Sequence, residues 1–424
     1  MLLRKKKPVI LRRDRHPISR RNIDEDALKV LYRLKQCGHT AYLVGGGVRD
    51  LLIGRQPKDF DIGTSAHPNQ VRKLFRNCFL IGRRFRLAHI RFGEKIIETS
   101  TFRRRPDPLP EGATTQQQAQ DNTFGTPAED AQRRDFTING LFYDINTFAV
   151  IDHVGGLDDL KRKLVRTIGD PDERFIEDPV RMIRAVRFAA RLGFKIERKT
   201  MAAILRNRKA LSGAAPSRML EEICRLAPFG SSAAAMNILH QTRLLEVVFP
   251  ELAATINESS ETADILKGML QQLDQRDLPA ADLTPAVVFG YVYCPVFRKE
   301  IELLPENPHI TEYLKIARSI LEPSAARYHL PKKYFYDIIH QYALQGRLEL
   351  NGFPPTVRKR MLIQPFFRPG LSLYRDYLKA SGQPVALLDE LGKMAEKVDP
   401  LEIPAPRRRK RRPRRRRRTE TNAA

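Results

Sequence analysis

The sequence predicts an α+β fold, in which a mixed β-sheet forms the first third of the chain and helices form almost everything after it. Short segments that alternate between apolar and polar residues, typical of strands, recur up to about residue 150. Beyond residue 153 few segments alternate, and amphipathic helical stretches are separated by prolines. We therefore expect an α+β head that ends near residue 153 and an all-α remainder.

Charge is the dominant feature of the composition. The 424 residues carry a formal net charge of +26 with a pI of about 10.2, which indicates a polyanionic partner such as nucleic acid. Residues 1–21 hold nine Lys/Arg against one Asp, and residues 407–424 hold eleven against one Glu. We predict that residues 1–21 form a mobile basic arm and that the Arg-rich tail, residues 401–424, is disordered and binds RNA phosphates independently of sequence.

Several protein classes are disfavoured by what the sequence contains. The four cysteines are scattered and form no Cys-x-x-Cys pair, so zinc ribbons and redox pairs are unsupported. Reduced thiols fit a cytoplasmic protein. We also expect no signal peptide and no membrane span, because apolar runs of the necessary length are lacking.

The helices and strands of the head are predicted from the periodicity of apolar residues and from the glycines and prolines that separate the segments. An amphipathic helix is predicted over residues 24–36, and helix 67–75 has proline in its first turn. The predicted helices and strands of the head are helix 24–36, strand 40–44, a helix from residue 48, strand 59–62, helix 67–75, strand 95–103, helix 129–139 and strand 141–145. Residues 104–123 are predicted to form a loop.

Two acids in KDFDIGT are the first candidate site residues. Asp59 and Asp61 lie two apart, so on a strand they point to the same face. Such a pair can ligate two divalent cations about 3.5–4 Å apart, the spacing that serves in-line phosphoryl chemistry. Mg²⁺ fits hard oxygen ligands, and Mn²⁺ is an alternative. The other interpretation is that the two acids mark the end of an ordinary strand.

A glycine turn precedes these acids. Gly45, Gly46 and Gly47 lie between a predicted strand and the start of a helix, where free backbone N–H groups can bind a triphosphate. Arg49, just inside the helix, can reach a phosphate. This is not a Walker A loop, because no Gly-Lys-Ser/Thr follows.

Together GGGVRD (45–50) and DFD (59–61) resemble the head of the polymerase-β-type nucleotidyltransferases. More narrowly, they resemble the class that contains CCA-adding enzymes and bacterial poly(A) polymerases. The resemblance implies that Asp59 and Asp61 are metal ligands and that Gly46, Gly47 and Arg49 contact the triphosphate of the incoming nucleotide. It is strong over residues 17–230.

Three further candidates lie later in the head. Glu98, on the predicted strand 95–103, supplies a third carboxylate if that strand neighbours the acid pair, as the resemblance implies; otherwise it is an exposed strand glutamate. The string RRDFTIN (133–139) resembles the second motif of the family. It implies sugar and phosphate contacts from Arg134 and Asp135, which in isolation would be part of a solvated charge cluster.

The second predicted site is a helix over residues 177–194, with Asp178 as its N-cap and Pro179 at its first position. Arginines at 181, 184, 187 and 191 share one arc of the helix, and no acid follows Asp178 to pair with them. This face fits phosphates, although a solvated basic face is the simpler interpretation. EDPVR resembles the nucleotide-selection motif of the family, which implies base recognition by Asp178 and Arg181. Arg184 and Arg187 would then hold the triphosphate or brace the base readers.

The resemblance implies template-independent nucleotidyl transfer, in which an RNA 3′-hydroxyl attacks the α-phosphate of a nucleotide and pyrophosphate leaves. LIGRRFRLAHI (80–90) resembles a string that separates bacterial poly(A) polymerases from CCA-adding enzymes, so we expect ATP and RNA 3′ ends as substrates. The alternatives are a CCA-adding (or A-adding) enzyme and a non-catalytic RNA-binding adaptor. The predicted domains are the arm at 1–21, a nucleotidyltransferase head at 22–153 with a polymerase-β-like mixed sheet, a base-recognising neck at 154–235, an RNA-binding helical body at 236–400 and the tail at 401–424.

Overall fold

The computed structural model describes residues 7–82, 86–104, 123–228, 230–276, 278–279, 281–306, 308–349 and 361–397. The predicted tail, nearly all of the loop predicted at 104–123, and residues 83–85 of the string LIGRRFRLAHI lie outside these ranges.

An eight-stranded mixed sheet forms the head, as predicted. Its strands are β1 (Val9–Leu11), β2 (Ala41–Val44), β3 (Asp61–Thr64), β4 (Cys78–Ile81), β5 (Leu87–Phe92), β6 (Lys95–Thr101), β7 (Leu141–Asp144) and β8 (Ala149–Asp152). Their spatial order is β1-β8-β7-β2-β3-β6-β5-β4. Only the β3–β6 pair of this sheet is parallel. That pair lies near the centre, and it brings Asp61, at the start of β3, beside Glu98, in the middle of β6.

The basic arm is not mobile over the part that the structure describes. Strand β1 pairs with β8 and closes one edge of the sheet. Ile18 is fully buried in the head core, and His16 is buried and hydrogen bonds through Nε2 to the carbonyl oxygen of Phe148 at 2.9 Å. The sequence failed to predict this strand because its apolar run is three residues long and lies between clusters of basic residues.

Helices dominate the chain after the sheet, also as predicted. Those in the head are α1 (Glu25–Gln36), α2 (Gly46–Leu52), α3 (Pro68–Leu74) and α4 (Pro127–Arg133). They are followed by α5 (Gly156–Lys161), α6 (Pro171–Glu177), α7 (Val180–Leu192), α8 (Arg198–Asn207), α9 (Pro216–Cys224), α10 (Ser232–Gln241), α11 (Leu245–Val248), α12 (Pro250–Glu258), α13 (Ser260–Gln275), α14 (Pro285–Ile301), α15 (Ile310–Tyr328), α16 (Lys332–Glu349), α17 (Phe367–Ala380) and α18 (Ala386–Lys397). A short parallel pair, β9 (Leu164–Val165) with β10 (Lys195–Ile196), accompanies them. Among the helices described, none combines the length and apolar content of a membrane span.

The helix predicted over residues 129–139 is shorter than expected. A capping box between Thr126 and Glu129, with Pro127 at the first position, starts α4 two residues earlier. The helix ends at Arg133 because Arg134 is extended, with ψ of 167°. A single 3₁₀ turn then covers Thr137–Asn139.

Two large cores and a small third cluster around Phe102 and Phe142 stabilise the fold. One lies under the sheet and includes Val30, Leu43 and Ile90; the other extends through the helical remainder. Phe136 and Ile138 come from the head but belong to the helical core. The segment that carries Arg134 and Asp135 is therefore fixed between the two, and the division into domains stays a prediction.

Candidate active site

The glycine turn joins β2 to α2 and brings the backbone close to charged groups. Gly45 caps α2 with a φ of +73°, a conformation that favours glycine. A Cβ at this position would lie 3.1 Å from Nη1 of Arg134 and 3.9 Å from Oδ2 of Asp61. The positive φ favours glycine here, and the lack of a side chain lets the backbone lie beside two candidate site residues.

The three candidate carboxylates lie at the same end of the sheet. Asp61 opens β3, and Asp59 lies in the segment before it, so the strand prediction is right for Asp61 and wrong for Asp59. The reason is that β2 ends at Val44, which pairs with Asp61, and leaves no neighbour for an earlier residue. Glu98 adjoins Asp61 across the β3–β6 pair, one step beyond the pairing of Ile62 with Thr99.

Asp61 carries the strongest electrostatic perturbation of the three. Burial, then the neighbouring Glu98 and also Asp59, raise its carboxyl pKa to about 6, while Arg134 acts in the opposite direction. Negative charge is therefore crowded at this point of the cleft.

The three carboxylates can supply some, but not all, of the ligands of a divalent cation. Hard carboxylate oxygens are the ligands that Mg²⁺ prefers, and a dication would relieve the repulsion among them. Across the described ranges, however, no three His, Cys, Asp or Glu side chains are grouped closely enough to hold a metal by themselves. The carboxylates fit an ion that takes its remaining ligands from water and substrate phosphate.

Arg49, predicted to contact the triphosphate, lies at the border of the cleft with its guanidinium held by neighbouring groups. Its side chain is only 2% exposed. Nε donates to Oδ1 of Asp50 at 2.8 Å and Nη1 donates to Oδ1 of Asn139 at 2.6 Å. The guanidinium also lies 5.3 Å from the centroid of the Phe188 ring. Arg49 thus ties the glycine-turn helix to the head and to α7, although it borders the cleft.

Arg134 and Asp135 point to opposite sides of their segment. Arg134 donates through Nε and Nη2 to Oδ2 of Asp130, at 3.1 and 3.0 Å. Asp135 accepts from Nη2 of Arg184 at 2.7 Å, from Nδ2 of Asn139 at 3.1 Å and from its neighbouring backbone N–H. Burial alone would raise the pKa of Asp135, but Arg184 and these hydrogen bonds lower it to about 2. Asp135 is therefore a largely enclosed anion, with its side chain 12% exposed, that holds Arg184.

The arginines of α7 are not a solvated face, because acids from other elements meet them. Arg184 also donates through Nη1 to Oε1 of Glu222 on α9, at 2.9 Å. Arg187 lies 3.3 Å from the other Glu222 oxygen, and Arg191 lies 3.3 Å from Asp50. Burial lowers the pKa of Arg187 to about 10, against the opposing charge of Glu222. The basic arc of α7 faces inward, toward the head and α9.

Asp178 and Arg181 lie side by side, but Asp178 does not cap α7. It ends α6, and its carboxylate accepts two hydrogen bonds from the guanidinium of Arg218, at 2.9 and 2.8 Å. That pairing explains the failed N-cap prediction, because the carboxylate turns toward α9. Arg181 donates to Glu177 at 2.7 Å and to the carbonyl oxygen of Arg174 at 2.9 Å.

One cleft, with a volume of about 1550 Å³, brings the candidate residues together. Its lining includes Gly45, Gly46, Gly47, Arg49, Asp59, Asp61, Glu98, Arg134, Asp135, Asp178, Arg181, Arg184 and Arg187. The far wall, which sequence reasoning left unassigned, is formed by residues of the body such as Tyr328, His329 and Tyr334.

Sequence reasoning missed the partners that fix these side chains. Asn139 lies within RRDFTIN, so the motif itself was the signal that could have found it. Glu222 and Arg218 come from α9, 38 and 40 residues away from the partners that they hold. No local pattern in the sequence links such distant residues.

Two known protein families match the chain, one in the head and one in the helical remainder. Residues 41–166 match a family described as the poly A polymerase head domain. Residues 193–256 match a family described as the probable RNA and SrmB-binding site of polymerase A.

Individual relatives agree. Poly(A) polymerase I of Salmonella typhi is 47% identical over 292 residues, which is 67% of this chain and 63% of the relative. The chain thus spans somewhat less than two thirds of that protein. Poly(A) polymerase I of Escherichia coli O157:H7 is 42% identical over 335 residues, covering 76% of this chain and 72% of the relative.

Similarity to CCA-adding enzymes is more limited. That of Lactobacillus helveticus is 39% identical over 236 residues, or 54% of this chain and 55% of the relative. A tRNA nucleotidyltransferase solved with a primer tRNA and an incoming ATP analog shares the fold. Its TM-score is 0.55 at 23% identity, over 88% of this chain and all of the other. Because the Escherichia coli relative is covered over more than two thirds of its length, the chain belongs to the family of bacterial poly(A) polymerases.

Proposed function

We propose that this protein adds adenylate residues to RNA 3′ ends, using ATP and no template. The observation that carries the proposal is that a single cleft holds the head carboxylates Asp59, Asp61 and Glu98 opposite Asp178 and Arg181 of the neck. A nucleotide in this cleft can present its phosphates to the carboxylate end and its base to the neck.

The carboxylates bind the divalent ions and the attacking group. Asp59 and Asp61 would hold two Mg²⁺ ions, with Mn²⁺ as an alternative, and bound ions would supply charge neutralisation for in-line transfer. Glu98, whose side chain is 51% exposed, orients the RNA 3′-hydroxyl beside the reacting phosphate. The backbone N–H groups at Gly46 and Gly47 face the triphosphate.

Base selection is assigned to the neck. Asp178 accepts and Arg181 donates, so the pair can match the donor and acceptor edge of adenine. In the structure these groups are engaged by Arg218 and Glu177 respectively. Binding of the base therefore replaces existing hydrogen bonds and does not fill unpaired groups.

Primer extension tests the proposal directly. Wild-type protein is given Mg²⁺, an oligo(A) primer and either ATP or CTP. We expect long A-tails and no use of CTP. Asp61→Asn should abolish incorporation and keep RNA affinity, whereas Asp172→Asn, a carboxylate on α6 outside the cleft lining, should behave as wild type. Full incorporation by Asp61→Asn would contradict the catalytic assignment.

CCA addition is the second candidate, favoured by the 39% identity to a CCA-adding enzyme. A tRNA that ends before its CCA distinguishes the two activities. Addition of C, C and A followed by a stop would replace the poly(A) proposal. RNA binding without incorporation on either substrate would instead identify an adaptor.

A further inference from the structure

A row of four side chains crosses the sheet from the candidate catalytic acids to its far edge. His89 on β5 pairs with Glu98 on β6, and Phe79 on β4 pairs with His89. Asp61 adjoins Glu98 on the other side. Directly paired residues of neighbouring strands point to the same face, so the row Asp61, Glu98, His89, Phe79 lies on one side of the sheet.

This side of β4, β5 and β6 is open. Phe79 is 60% exposed, Ile81 is 50% exposed and Ile96 is 48% exposed. The opposite face of the same strands is closed, since Ile90 and Ile97 are at most 2% exposed. Exposed patches of aromatic and aliphatic side chains often mark the sites at which a protein binds its partners.

We propose that the open face of β4, β5 and β6 binds the 3′-terminal segment of the RNA substrate, with Phe79 stacking on a base upstream of the 3′ end. The inference rests on the proposed function and assigns the path of the RNA in the same site. Strands lie about 4.8 Å apart, so two steps place Phe79 about 10 Å from Glu98 along the row. That distance is within reach of the first nucleotides behind the reacting hydroxyl.

The chemistry of the face favours RNA over a protein partner. Arg91 lies on the open side with Phe79 and His89, and its partner Glu94 is 97% exposed, so the ion pair is weak and a phosphate can replace it. Arg86 is also exposed at the start of β5. Protein interfaces are depleted of charge at their centre, whereas single-stranded RNA binds where cations and an aromatic ring alternate.

Phe79→Trp tests the contact without relying on catalysis. The chain has no tryptophan, so this substitution creates a single tryptophan, which can be excited selectively over the tyrosines. We expect an oligo(A) primer to quench its emission with a midpoint near the Kd from anisotropy. We expect no quenching in Ile10→Trp, because Ile10 is 59% exposed on β1, at the opposite edge of the sheet from β4. Absence of quenching when RNA binds would overturn the inference, whether or not the protein proves to be a polymerase.

Phe79→Ala tests the functional consequence. We expect KM for the primer to rise about tenfold, equivalent to about 1.4 kcal/mol, which lies within the range for base stacking on an aromatic ring. KM for ATP should be unchanged, and Ile10→Ala, as the exposed apolar control on β1, should match wild type. An unchanged primer KM in a variant with a native circular dichroism spectrum would overturn the inference. Failure of the wild-type protein to extend the primer would instead overturn the proposed function.

Discussion

Replacing Asp135 by Asn removes the buried charge that holds Arg184 in place. The carboxyl pKa falls from 3.8 to about 2 in the folded protein, which corresponds to about 2.4 kcal/mol of stability at neutral pH. The variant also leaves Arg184 with Glu222 as its remaining acidic partner among the ion pairs described. Breaking a buried ion pair costs about 3–5 kcal/mol of folding free energy. Because Glu222 still pairs with Arg184, we expect a loss near the lower limit, about 3 kcal/mol.

Amide hydrogen exchange of α7 is the appropriate measurement, because a chain with two cores need not unfold in one step. The free energy of opening should fall by about 3 kcal/mol in Asp135→Asn. Asp172→Asn is the matched control, since Asp172 pairs with Arg206 at the surface and such pairs contribute less than about 1 kcal/mol. Loss of less than about 0.5 kcal/mol in Asp135→Asn would refute the network as an anchor of α7.

The pH dependence of wild-type stability follows from the same carboxyl. Its pKa is depressed by folding, so its contribution is complete above the unfolded value of 3.8 and is lost as pH falls toward 2. About half of the 2.4 kcal/mol should remain at pH 3, and the gap between wild type and Asp135→Asn should narrow accordingly. A gap that stays constant between pH 7 and pH 3 would show that the charge of Asp135 is not its cause.

Three other predictions concern separate parts of the chain. Gly63→Ala should destabilise the head by about 1–3 kcal/mol in thermal unfolding, because its Cβ would lie 2.6 Å from an aromatic ring, whereas Gly213→Ala meets no atom within 4 Å and should be neutral. Asp178→Asn should raise KM for ATP and lower the preference for ATP over the other nucleotides about tenfold, with no change in primer KM, which steady-state kinetics with each nucleotide would check. Thiol labelling of the folded protein should modify exposed Cys37 quickly and leave Cys294, fully buried with its pKa raised to about 12, unmodified until the chain unfolds.

The sequence was most informative where chemistry and backbone geometry coincide locally. The glycine turn was predictable because three consecutive glycines between a short strand and the start of a helix indicate a turn with a positive φ. The pairing of Glu98 beside Asp61 was predictable only through the resemblance, since strand order across β3 and β6 depends on contacts 37 residues apart in sequence. The α+β head and the helical remainder followed from periodicity alone.

The partners of the side chains could not be predicted, and they change the role that we assign to the arginines of α7. Its sequence contains no acid after residue 178, so pairing within the helix was excluded and phosphate binding was favoured. The structure instead supplies Asp135 from the head and Glu222 from α9. A helical periodicity identifies which residues share a face, but it does not identify the element that packs against that face.

This pairing limits what the arginines of α7 can do for a bound nucleotide. Arg184 meets Asp135 and Glu222, and Arg187 shares Glu222 with it, so both guanidiniums already have a carboxylate partner before any substrate enters. Moving either guanidinium onto a phosphate would leave Asp135 or Glu222 buried with fewer partners, which costs several kcal/mol. In the proposed mechanism, we therefore expect the triphosphate charge to be balanced chiefly by divalent ions at Asp59 and Asp61 and by backbone N–H groups of the glycine turn. We infer that the arginine network instead holds the neck at a fixed position beside the head, which in the proposed function lets base and phosphates be recognised together.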